Sequence, residues 1–79
     1  MFRVLDYDVE VKDELIGEAL KYLPEKKRNV ILLSFFMDMT DTELAKHMNL
    51  VRSTIHHHRV SSLQALKKIL EGIRNDENK

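Results

Sequence analysis

The six residues Met39-Thr40-Asp41-Thr42-Glu43-Leu44 constrain this chain more than any others. Thr40 and Glu43 have the spacing of a capping box, in which each side chain bonds the other residue's backbone N–H. Met39 and Leu44 stand at the flanking positions of a hydrophobic staple. A helix must therefore begin at Asp41. It is short, because Asn49 tolerates the left-handed conformation that ends a helix. A further helix begins near Arg52. Two helices crossing steeply over a tight turn need a small residue at the crossing, and Ala45 supplies it. Leu44, Met48, Leu50 and Ile55 are the apolar positions that clamp such a pair together. His58 falls on a position that is usually apolar. The pattern predicts a helix-turn-helix unit over residues 40–60.

The charge distribution gives this unit a polarity. Between Leu44 and Leu70 there is no Asp or Glu, while Lys46, Arg52, Arg59, Lys67 and Lys68 and all four histidines lie inside that window. The formal net charge of zero therefore hides a dipolar molecule with one positive face. A cationic patch on a helix is the electrostatic footprint of a phosphate-binding surface. Overall neutrality also predicts weak non-specific affinity for DNA, since few phosphates are neutralised.

A chain of 79 residues makes one small domain whose core is marginal without tight helix packing or a partner. It has no cysteine, so neither disulfides nor a thiolate zinc site can brace it, which suits a reducing cytosol. No apolar run reaches membrane-spanning length and the N-terminus lacks a signal-peptide h-region. A cytoplasmic protein working at the nucleoid, with no membrane partner, is expected. Glycine and proline are scarce and helix formers plentiful, so the expected class is all-α.

Residues 1–11 read as an extended arm or a single strand, from the loose alternation of Phe2, Val4, Val9 and Val11. A lone strand cannot satisfy its own backbone, so the arm would need a second copy of the chain, as in a homodimer, or upstream sequence. The helical domain is expected over residues 12–74. Its first helix runs from about Lys12 to Leu23, with Leu15, Ile16, Ala19, Leu20 and Leu23 on one face. Pro24 ends it and opens the first turn of a second helix, favoured there by Glu25, which continues to about Met37. From Val30 to Met37 that helix is apolar almost all round, the mark of a buried central helix. Lys26, Lys27 and Arg28 at its start read as a solvated face, with phosphate contact as the alternative. The fourth helix is expected over residues 52–71, with Ile55, Ser62, Leu66, Ile69 and Ile73 as its inner stripe, flanked by Leu63 and Leu70. Residues 75–79 read as a disordered polar tail.

The second helix of a helix-turn-helix lies in the major groove and reads bases with its first turns. Here the exposed residues of those turns are Arg52, Ser53, His56 and His57. Arg52 can donate two bonds to guanine O6 and N7. Ser53 pairs with several bases and discriminates poorly, and the two histidines can bond a base edge or a phosphate. Lys46, Arg59, Lys67 and Lys68 are placed for phosphate, which sets register but not sequence.

Taken together, Leu23-Pro24-Glu25-Lys26-Lys27-Arg28, an apolar helix, the capped Thr40-Asp41-Thr42-Glu43-Leu44-Ala45 and Arg52-Ser53-Thr54-Ile55 resemble region 4 of sigma-70-type sigma factors. The resemblance covers roughly Asp13 to Glu71, with a weaker match through Phe2–Val11. It is closest to the small sigma-like regulators of Gram-positive conjugative transposons, through Phe36-Met37-Asp38-Met39-Thr40-Asp41, Val51-Arg52-Ser53-Thr54, His58-Arg59 and Ser61-Ser62-Leu63. It implies a DNA-binding regulator that recognises a −35 promoter element and docks on RNA polymerase. The base-reading positions it implies are Arg52, Ser53 and His57. His56 and His57 depart from the Tyr and Arg frequent there, and Val51 from the usual Ser or Thr cap. Sigma region 2 is absent from the sequence, so the chain is expected to be either an excised domain or a regulator acting through the helix-turn-helix alone; longer N-termini in the family favour the first.

Other classes fare worse on the residues. His56-His57-His58 point about 100° apart around a helix, whereas a shared metal ion needs i, i+3 or i, i+4 pairs. Their expected role is to gain charge in mild acid, so that DNA affinity rises from about pH 8 to about pH 6. Asp38 or Asp41 with Ser34 and a histidine could be imagined as a triad, but no spacing enforces it and no large pocket fits so small a core. Neither an enzyme, a small-molecule substrate nor a cofactor is expected. Two alternatives remain: a module binding RNA polymerase or another protein through Val30–Met37 and the arm, and a response-regulator effector domain. The latter requires an early stop in the recognition helix, and no Gly or Pro interrupts Ser53–Glu71.

Overall fold

A computed structural model describes the backbone of residues 2–4 and 7–77 and the side chains of residues 2–4 and 7–73. Among the described residues it holds a two-stranded hairpin followed by four helices: β1 (Phe2–Val4), β2 (Tyr7–Val9), α1 (Glu14–Lys21), α2 (Glu25–Ile31), α3 (Asp41–Met48) and α4 (Arg52–Glu77). A π-helical turn, Leu32–Phe36, continues α2 without a break. The all-α expectation holds, with the hairpin as its one extended part.

The arm departs from the single-strand expectation. β1 and β2 pair antiparallel, with Phe2 opposite Val9, Arg3 opposite Asp8 and Val4 opposite Tyr7. The backbone groups that a lone strand would leave open are bonded within the chain, which removes the reason for a homodimer through the arm. Successive strand residues face opposite ways. Val4 and Val9 are thereby buried in the core, with Phe2 and Tyr7 packed beside them. Arg3 and Asp8 form an exposed cross-strand ion pair on the other face. The Arg28 guanidinium lies 6.0 Å over the Phe2 ring, and the His47 ring meets Tyr7 edge-on at 5.8 Å. The hairpin thus touches both α2 and α3.

Asp13 caps α1 by accepting from the Ile16 N–H at 3.1 Å. Ala19 and Leu20 are buried from its inner face, and Leu23 is buried just past its end. Pro24 is the residue just before α2, and its carbonyl accepts from the Arg28 N–H at 3.0 Å. Val30 to Ser34 are buried, as expected of a central helix. The Ser34 hydroxyl donates to the Val30 carbonyl at 2.6 Å, a back-bond that competes with regular helix closure. In the π turn the Met37 N–H reaches the Leu32 carbonyl at 3.2 Å, and Asp38 then takes a positive φ of 54°. The widened turn leaves Phe35, Phe36 and Met37 exposed, where the sequence pattern places them inside.

α4 packs against α1, α2 and α3. Ile55, Ser62 and Leu66 are buried along it, and Ile69, Leu70 and Ile73 are partly so. Leu63, expected at the edge of this stripe, is exposed. The Ser61-Ser62 pair does not interrupt the helix. α4 also runs past the expected end at residue 71 and through the expected tail as far as Glu77; residues 78 and 79 lie outside the described part. Only Gly72 interrupts the run of helix-compatible residues there, and one glycine costs a helix roughly 1 kcal/mol, too little to end it.

Candidate nucleic-acid interface

The helix-turn-helix is assembled by local bonds that the sequence announces. Thr40 Oγ1 accepts from the Glu43 N–H and Glu43 Oε1 accepts from the Thr40 N–H, each at 3.2 Å. Asn49 ends α3 in the left-handed conformation, with φ 55° and ψ 42°. Its presence lets the Leu50 N–H reach back to the Ala45 carbonyl at 3.0 Å. Leu44 and Ile55 are fully buried between α3 and α4, with Ala45, Met48 and Leu50 packed around them. α4 then starts at Arg52, immediately after the exposed Val51.

Arg52, Ser53, His56 and His57 are all exposed on the first two turns of α4. They recur at i, i+1, i+4 and i+5, so they share one face. Arg52, Ser53 and His56 line a shallow depression whose fourth wall is Asp41, at the start of α3. Val60, Leu63, Gln64, Lys67 and Lys68 continue the exposed side toward the C-terminal half. Lys67 and Lys68 stand on the order of 20 Å along the axis from Arg52, given about 1.5 Å of rise per residue. Lys46 is exposed on α3. Among the described residues, the ion pairs are Arg3–Asp8, Lys21–Glu18 and Arg59–Asp41, so Lys46, Arg52, Lys67 and Lys68 carry no bound carboxylate.

Arg59 has a partner within the fold. Its place in the acid-free window directs it to phosphate, but its Nη2 donates to Asp41 Oδ2 at 2.7 Å in a half-buried pair. Through this pair the guanidinium joins α4 to α3. Asp41 is the partner that the charge pattern alone does not reveal. It is visible as the first residue of a capped helix, but its partner lies too far along the chain for a local rule to find.

The four histidines separate into distinct surroundings. His47 stacks edge-on against Tyr7 of the hairpin. His56 borders the Asp41 depression, while His57 and His58 line a groove against the start of α2. His58 does not take the core role usual at its position; it is half-buried and faces that groove.

No helix among the described residues is long and apolar enough to cross a membrane. No curated protein and no solved structure matches the chain. A family model described as sigma-70, region 4 matches residues 19–68, from the end of α1 to the second half of α4 and including every residue of the helix-turn-helix. With more than half of its length matched, and with the capped α3, the left-handed turn and the exposed leading face of α4 in place, the chain belongs to the sigma-70 region 4 family of DNA-binding helix-turn-helix domains.

Proposed function

We propose that the chain is a sequence-specific DNA-binding transcription regulator that lays α4 in the major groove and reads bases with Arg52, Ser53, His56 and His57. The observation that carries this reading is the leading face of α4: four exposed side chains able to donate hydrogen bonds, on rigid helix, with no acidic residue in sequence from Leu44 to Leu70. Arg52 is the residue for guanine O6 and N7. Ser53 and the two histidines add weaker selectivity. Lys46 on α3 supplies a phosphate contact that fixes register, and Lys67 and Lys68 supply contacts farther along the duplex. Arg59 leaves the phosphate set because Asp41 already holds it. The protein acts by binding, without cofactor or catalysis, on chromosomal DNA in a bacterial cytoplasm.

RNA polymerase is the second partner in this reading. Phe35, Phe36 and Met37, exposed at the end of the π turn, offer apolar side chains that support a protein contact there. The genes controlled are those of a mobile element. That part rests on the resemblance of the Phe36–Asp41 and Val51–Thr54 segments to regulators of conjugative transposons.

The test is selection of bound duplexes from a randomised pool by the purified chain. A defined motif with G at one or two positions, recurring upstream of mobile-element genes, supports the reading. Enrichment of no sequence, with binding to polymerase intact, would replace it with a protein-interaction module.

A further inference from the structure

Two large apolar side chains lie open to solvent on the helix that carries the reading residues: Val60 is 41% exposed and Leu63 40%. At about 100° per residue, Val60 sits roughly 80° around α4 from Arg52. That is within the arc of about 140° spanned by Arg52, His56, Ser53 and His57. Along the axis it follows His57 by about 4.5 Å, less than one turn. Its chain neighbours turn elsewhere, Arg59 to Asp41 and Ser61 to Lys27. Val60 therefore continues the reading face itself. No Asp or Glu occurs between Leu44 and Leu70, so the surroundings of Val60 are complementary to a polyanion, and a DNA duplex is the occupant they suit. An isopropyl group gains nothing from a phosphate or from a polar base edge. The apolar group that the bases present in the major groove is the C5 methyl of thymine.

We propose that Val60 packs on the C5 methyl of a thymine in the bound duplex, and so selects T at one position beyond those read by Arg52, Ser53, His56 and His57. This rests on the reading of α4 as the helix in the major groove. It deepens that reading by adding one apolar discriminator to four hydrogen-bonding ones. The four leading residues offer polar atoms, which a methyl group cannot use; Val60 offers the matching surface. Leu63 has the same exposure but stands about 16.5 Å along the axis from Arg52, against about 12 Å for Val60. A straight helix departs from a groove that winds around the duplex, so Leu63 lies beyond reach of the bases and serves as the internal control.

The test is a scan of the preferred duplex, selected from a randomised pool, in which each thymine is replaced in turn by deoxyuridine. Each replacement removes one methyl group and leaves every hydrogen-bonding group of the base unchanged. With the intact, unmodified chain, one position is expected to lose about fourfold in affinity, the worth of one buried methyl group. Val60→Ala should bind the thymine and deoxyuridine duplexes nearly equally at that position. The site is exposed and alanine is the better helix former, so folding is not at risk. Leu63→Ala should keep the fourfold difference. A difference that survives in Val60→Ala, or that Leu63→Ala abolishes instead, overturns the assignment to Val60. A scan in which no position responds, or a preferred duplex without thymine, overturns it as well. Each of these leaves base reading by Arg52 to His57 standing, since a defined motif has still been selected. Selection of no sequence by the unmodified chain removes both the thymine contact and the reading on which it rests.

Discussion

Arg59 Nη2 stands 2.7 Å from Asp41 Oδ2, tying the third turn of α4 to the first residue of α3. Each side chain is largely shielded from water, and the second oxygen, Asp41 Oδ1, is buried without a partner. The carboxylate therefore depends on this one guanidinium. Arg59→Ala leaves it desolvated and unpaired, at an expected cost of about 1–3 kcal/mol. The cost stays at the lower end because water still reaches part of the pair. Chemical denaturation of the variant measures it. Since Arg59 acts as a strut rather than a phosphate contact, the salt slope of DNA binding should not change. A slope that falls with stability intact would return Arg59 to the DNA surface.

Arg52→Ala should weaken binding to the preferred site by about 1–3 kcal/mol and relax one base position. Competition between the preferred duplex and its single-base variants reads this directly. Equal losses on every sequence would make Arg52 a phosphate contact instead.

The turn between the two helices carries two opposite stability predictions. Val51 precedes α4 and is 66% exposed, and it offers no side-chain acceptor to the free N–H groups of the first turn. Val51→Ser should raise stability by about 1 kcal/mol. Asn49 holds a left-handed φ of 55°, so Asn49→Ala should lower it by about 1–2 kcal/mol, while Asn49→Gly keeps the turn. Thermal melts of the three variants test both signs.

The parts of this fold that are legible in the sequence are those fixed by neighbours a few residues apart. The Thr40–Glu43 box, the Asn49 turn and the Pro24 break each follow from one residue acting on nearby backbone. The hairpin is also written locally but in a less obvious form. Val4 and Tyr7 share a face although they stand three apart, and that slip in the alternation marks the change from one strand to the next. The π turn at Leu32–Phe36 is hidden because an apolar run does not reveal which of its members a widened turn will expel. Arg59 reads as a free cation in the sequence because its partner lies 18 residues back and meets it only when α3 and α4 cross. His58 similarly takes its meaning from the start of α2 rather than from its own helix.

Everything turns on which surface meets DNA. The most direct measurement is amide chemical-shift mapping of the chain as a short duplex is added at low salt. The predicted result is a cluster of perturbed signals over Arg52 to His57 with Lys46, fading as salt is raised. Perturbations confined to the hairpin and Phe35–Met37, or none at all while the duplex is in excess, would contradict it.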